Sequence, residues 1–99
     1  MQSSYPESFE REMGCTQAEW LRWLPGAIGS HQWQHEGTTA VVQVGPGTLH
    51  LAWQAGEPRV IALVRMPRLD VSFRFEDVDG HARAAFMRRF DLYMQRGGG

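Results

Sequence analysis

The sequence contains no lysine and no asparagine, and all ten of its basic residues are arginines. This bias fits GC-rich codons, as in a GC-rich bacterial genome, and it excludes a P-loop, whose motif requires a lysine. A single cysteine, Cys15, excludes an internal disulfide. No apolar run approaches the roughly 18 residues that a membrane span needs, and no leader-like segment opens the chain. We therefore expect a cytoplasmic protein without a membrane partner.

Excess charge of either sign is also missing, because ten arginines face eleven acidic residues. Nucleic-acid-binding domains usually carry a basic excess, so we expect no nucleic-acid partner. Four of the arginines fall within residues 81–99, which predicts that any anion-binding surface involves this segment, unless it is an ordinary solvated helix face. The length of 99 residues is enough for one core, so we expect a single domain over residues 1–99.

The first part of the chain predicts a strand followed by a short helix. Phe9, Arg11 and Met13 alternate with Glu10 and Glu12, as in a strand at a sheet edge. Thr16 and Glu19 then have the spacing of a capping box, which starts helices. Apolar residues follow, and because Pro25 disfavours helical geometry at the preceding residue, we expect the helix to end at Leu24.

The middle of the chain has a period of two, which is typical of strands joined by tight turns. In residues 31–35 two histidines and a tryptophan alternate with glutamines, residues 38–44 form a β-branched run, and residues 48–54 and 69–76 alternate between more apolar and more polar side chains. The segment Arg59–Met66 is apolar on both faces, and we interpret it as one further strand. Short connections favour antiparallel pairing.

A period of 3.6 after residue 80 predicts a long C-terminal helix with Gly97 as its C-terminal cap. Phe86, Phe90 and Tyr93 lie in the stripe that would face the core, and Met87 lies on the far side. The predicted fold class is α+β, an antiparallel sheet of five to six strands with a short N-terminal helix and a long C-terminal helix on one face. This element order resembles that of TATA-binding-protein-like and helix-grip domains, and the resemblance implies a layout but no function.

Arg89 also falls within the predicted apolar stripe, where its charge must be paired or must reach water. One hypothesis is that its stem covers the sheet and its head pairs with a carboxylate at the rim. The other is that helix and sheet enclose a cleft, in which Arg89, Arg96, Tyr93 and Trp53 bind a small, anionic molecule.

Other chemistry-bearing residues give weaker patterns. His31 and His35 on one strand would lie about 13 Å apart, too far to share a metal ion, and His50 lacks supporting ligands. We therefore expect no metal and no cofactor. Cys15 precedes the helix cap, where a lowered pKa would make the thiol reactive, but a semi-buried structural thiol is the more common case at such a position. Asp77 and Asp79 are best explained by helix capping.

Apolar side chains exceed what one sheet face can bury, Ile61 and Leu63 among them, and four Trp add to the surplus. Monomers seldom expose such a patch, so either the sheet curls around a cavity or its outer face meets a second copy in a two-fold dimer, and we expect the homodimer. The sequence thus predicts a small, soluble, non-catalytic module that binds a small ligand or a protein partner. The alternative is a homodimeric structural subunit that uses the outer sheet face, and a third hypothesis is a small enzyme that uses Cys15 or a histidine, with no catalytic residue assigned.

Overall fold

The structure is a computed structural model that describes residues 4–95, and its centre is a five-stranded antiparallel sheet. In chain order the elements are β1 (Ser8–Met13), α1 (Gln17–Ile28), β2 (Trp33–Glu36), β3 (Thr39–Val44), β4 (Gly47–Ala55), β5 (Arg59–Ile61), β6 (Val64–Met66), β7 (Leu69–Glu76) and α2 (Gly80–Gln95). The sheet order is β1-β7-β4-β3-β2, and β5 and β6 form a separate two-stranded sheet. The predicted α+β class is confirmed.

Both helices cover the same face of the sheet. Alternate residues of β4 and β7 point to this face and are buried. Trp53 of β4 contacts Trp20 of α1, with 5.6 Å between ring centroids. Phe73 of β7 contacts Phe90 of α2, also at 5.6 Å and nearly perpendicular. These ring contacts confirm the prediction that α1 and α2 lie on one side of the sheet.

The opposite face of the sheet, called the outer face below, is mainly polar. Its central positions on β4 and β7 are His50, Ala52, Gln54, Asp70, Ser72 and Arg74. The apolar surplus of the sequence is therefore not located there.

Helix α1 starts where the sequence predicts and ends later. Thr16 and Glu19 form the capping box, because the Thr16 Oγ1 accepts from the Glu19 N–H and the Glu19 carboxylate accepts from the Thr16 N–H. The predicted end at Leu24 is wrong, since the helix passes through Pro25 and continues to Ile28. A proline inside a helix costs about 3 kcal/mol, and the complete burial of Ile28 with Ala27 offsets a large part of this.

Helix α2 is rotated relative to the prediction. Phe86 and Phe90 are buried as expected, but Met87, predicted on the far side, is also fully buried. Tyr93 is half-buried and Arg89 is exposed, so both lie at the margin of the buried stripe. Gly97 lies outside the described residues. Neither described helix is long and apolar enough to cross a membrane.

The segment predicted as one strand, Arg59–Met66, is a hairpin instead. It turns at Ala62, whose φ of 55° lies in the left-handed region. The reason is the pairing of β4 with β7, in which Ala55 lies opposite Leu69 and the Gly56 N–H donates to the Arg68 carbonyl at 2.9 Å. Because β4 and β7 are direct neighbours, the chain between them must leave the sheet and return.

Candidate functional site

Arg89 faces the end of α1. Its Nη2 donates to the Gly26 carbonyl oxygen at 3.2 Å, and a Cβ at Gly29 would lie 2.7 Å from the guanidinium. Carbonyls at a helix C-terminus carry partial negative charge, which an arginine neutralises. The predicted position within the core-facing stripe is therefore wrong, while a role of Arg89 in ligand binding stays a prediction.

The other predicted ligand-binding residues do not form one site with Arg89. Tyr93 also contacts the end of α1, where a Cβ at Gly26 would lie 2.1 Å from its hydroxyl oxygen. Trp53 lies instead against Trp20, in the first turn of α1, and its buried indole N–H has no acceptor among the described residues. Arg96 lies outside the described residues. The structure thus brings Arg89 and Tyr93 together and places Trp53 in the core.

Each described histidine near the sheet has its own neighbour. The Nδ1 of His31 lies 2.9 Å from the Gln43 carbonyl oxygen, and the Nε2 of His35 lies 2.7 Å from that of Gly37. His50 lies 3.1 Å from the Glu76 carboxylate on the outer face. Within residues 4–95 no three His, Cys, Asp or Glu side chains are grouped so as to hold a metal ion.

Cys15 is buried in the core, beside the start of α1. Burial, followed by the negative charge of Glu19, raises the pKa of this thiol. This core position agrees with a structural thiol, the interpretation that the sequence favours over a reactive thiol of lowered pKa. Asp79, by contrast, is a helix cap as expected, since its carboxylate accepts from the Ala82 N–H at 2.8 Å.

A network between β1 and α2 was not anticipated from the sequence. The Arg11 guanidinium binds both carboxylate oxygens of Asp91, at 2.5 and 3.1 Å, and the Tyr5 hydroxyl donates to Asp91 at 2.8 Å. Arg11 also lies 5.4 Å from the Phe9 ring centroid and 5.5 Å from that of Phe73. Burial raises the pKa of Tyr5, and the bond to Asp91 adds to the rise. Burial lowers the pKa of Arg11, but the bonds to Asp91 outweigh it and the net pKa is raised.

A hollow of about 350 Å³ opens beside this network, and its walls are Arg11, Met13, Asp91, Met94 and Gln95. Arg11 and Asp91 neutralise each other there, so the hollow presents no unpaired charge of either sign. The network holds β1 to α2 and has a structural role.

The segment Arg59–Met66, which we call the hairpin arm, extends from the sheet and does not pack into the core. All six of its strand residues are exposed, and β5 and β6 make their main contacts with each other. The side chain of Leu63, in the turn, has a relative exposure of 101%. The other exposed large apolar residues of the arm are Val60, Ile61, Val64 and Met66. Such a concentration of exposed apolar surface typically marks an interaction site.

The arm has two different faces. Ile61 pairs with Val64 and Arg59 pairs with Met66, so these four side chains share one face, called the apolar face below. Val60 pairs with Arg65 on the other face. Three of the four side chains on the apolar face are therefore apolar, whereas the opposite face carries the charged Arg65.

Ion pairs hold the base of the arm against the outer face of the sheet. Arg59 binds Glu12 of β1, and Arg68 lies 3.5 Å from the same carboxylate. Arg68 also binds Asp70 at 3.1 Å, and the hydrogen bond to Asp70 raises the pKa of Arg68. Exposed ion pairs thus connect the base of the arm to β1, while Leu63 at its turn stays in solvent.

No family model, no curated protein and no solved structure matches the chain.

Proposed function

We propose that the protein is a non-catalytic interaction module that binds a protein partner through its hairpin arm. The observation that supports this is the exposure of the five large apolar side chains of the arm, Val60, Ile61, Leu63, Val64 and Met66. Burial of one such side chain stabilises a complex by about 1.5–3 kcal/mol, so a few of them supply useful affinity. The outer sheet face, the alternative surface for a partner, is mainly polar and contributes less apolar area.

The structure of the arm also supports the binding of a protein partner. A two-stranded hairpin on its own is marginally stable in water and gains stability from packing on a further surface. Arg59 and Arg68 form exposed ion pairs with Glu12 at its base, and these weakly favour one orientation of the arm before it binds.

The test is selection of short random peptides displayed on phage against the immobilised protein, followed by calorimetric titration of the selected peptides. We expect apolar, strand-forming peptides whose affinity falls about tenfold or more with Leu63→Ser. Leu92→Ser is the matched control, because Leu92 is an exposed leucine on α2 with a relative exposure of 40%. Peptides that bind Leu63→Ser and the unsubstituted protein equally would contradict the proposal.

A further inference from the structure

We propose that the partner of the hairpin arm is a second copy of this chain, whose arm packs apolar face against apolar face about a two-fold axis. This inference rests on the proposed function, because it identifies the occupant of the same surface. It replaces the outer sheet face with the arm as the site of self-association.

The charges of the arm favour its own copy as the partner. In a two-fold contact each patch meets itself, so a patch with unpaired charge repels its copy, whereas a neutral apolar patch does not. Ile61, Val64 and Met66 dominate the apolar face, and its only charged residue, Arg59, is bound to Glu12 of the same chain. Arg65 lies on the opposite face and stays in water when two apolar faces meet.

The pairing geometry gives the same result. Two stacked two-stranded sheets with their apolar faces inward form a small sandwich, and each supplies the packed surface that the other lacks. Leu63, at the turn of each arm, then covers the end of the contact. A partner with a charged surface would instead meet a face that offers no unpaired charge in return.

The apolar area sets the strength of the association. At about 60–120 Å² for each fully exposed side chain, the apolar side chains of one arm that this contact can bury, Ile61, Leu63, Val64 and Met66, offer about 240 Å². Two copies together bury about 500 Å², well below the roughly 1,200 Å² of a standard interface. We therefore expect a reversible dimer whose population depends on concentration in the micromolar range or above.

The experiment is sedimentation velocity of the full chain from about 1 μM to about 1 mM. The double variant Ile61→Thr/Val64→Thr removes apolar area from the apolar face and keeps β-branched residues, so the strands persist. The control is Val60→Thr, because Val60 and Val64 are similarly exposed, at 66% and 59%, on opposite faces of the arm. We expect the unsubstituted protein and Val60→Thr to shift from monomer to dimer together, and the double variant to need at least tenfold higher concentration.

Three outcomes overturn the self-association proposal. They are a monomer at all concentrations, a dimer that the double variant leaves unchanged, and equal weakening by Val60→Thr, which indicates non-specific apolar contact. A parallel sedimentation run adds vesicles of mixed anionic and neutral phospholipid. If the protein binds the vesicles through its arm and does not self-associate, the partner is a membrane and the self-association proposal is overturned. Peptide binding that depends on Leu63 in a strictly monomeric protein leaves the proposed function standing and refutes only the second copy.

Discussion

Arg11 of β1 and Asp91 of α2 are 80 positions apart in the chain and form a bidentate ion pair at the edge of the core. Their side chains have relative exposures of 23% and 21%, so water screens the pair only in part. The pair connects the first strand of the sheet to the last helix.

Asp91→Asn should therefore destabilise the fold by about 2–3 kcal/mol, because the half-buried Arg11 loses its counter-charge. The measurement is urea unfolding followed by circular dichroism. The control is Glu12→Gln, which removes exposed ion pairs and should cost about 1 kcal/mol or less. Equal losses in the free energy of unfolding for the two variants would show that partial burial does not strengthen the ion pair between Arg11 and Asp91.

Cys15 should react slowly with iodoacetamide in the folded protein, with an apparent pKa above the ordinary value of about 8.5. Burial favours the neutral thiol, so its contribution to stability is present below the ordinary pKa and is lost as the pH rises through the raised value. The pH dependence of the alkylation rate measures this pKa, with the urea-unfolded chain as reference. A pKa at or below that of the unfolded chain would contradict this expectation and support the hypothesis of an enzyme that uses Cys15.

Gly26→Ala should destabilise the protein, although alanine normally stabilises a helix interior by about 1 kcal/mol relative to glycine. The new methyl group would lie 2.1 Å from the Tyr93 hydroxyl oxygen, and the overlap should cost about 1–3 kcal/mol. Thermal unfolding gives the difference. In the background of Tyr93→Ala the clash is absent, so there Gly26→Ala should regain its stabilising sign; a stabilising effect in both backgrounds would place Tyr93 elsewhere.

Arg89→Met should cost only about 0.5–1.5 kcal/mol, because the side chain is exposed and its hydrogen bond goes to one helix-end carbonyl. Its melting temperature tests this directly. A small cost combined with loss of the thermal shift caused by an added carboxylate or phosphate would support the ligand site predicted from the sequence. A large cost would instead identify Arg89 as a structural partner of α1.

Strands β4 and β7 could be predicted because each buries one face only, which leaves a period of two in the sequence. The capping box at Thr16 was also visible, since it depends on residues three positions apart. Helix α1 ran past its predicted end because the burial of Ile28 is a tertiary effect that local proline geometry does not reveal.

Neither the network of Arg11 and Asp91 nor the hairpin arm could be predicted from the sequence, and the reasons differ. Arg11 occupies an inward position of β1 and Asp91 lies beside the buried stripe of α2, so each is an isolated anomaly until the fold places them together. The predicted phase of α2 placed Asp91 on the far side together with Met87, so the pair could not be found from the sequence. The turn of the arm contains Ala62 in the left-handed region, without the Gly, Asn or Asp that usually indicates a hairpin.

The position of β7 between β1 and β4 has a consequence for how the chain folds. The strand that completes the sheet is also the last one in sequence, and it pairs with the first across a separation of about sixty residues. Pairs this far apart in sequence raise the contact order, so we expect the chain to fold more slowly than a helical bundle of the same length. Until Glu76 has emerged from the ribosome, the nascent polypeptide has no route to its native sheet.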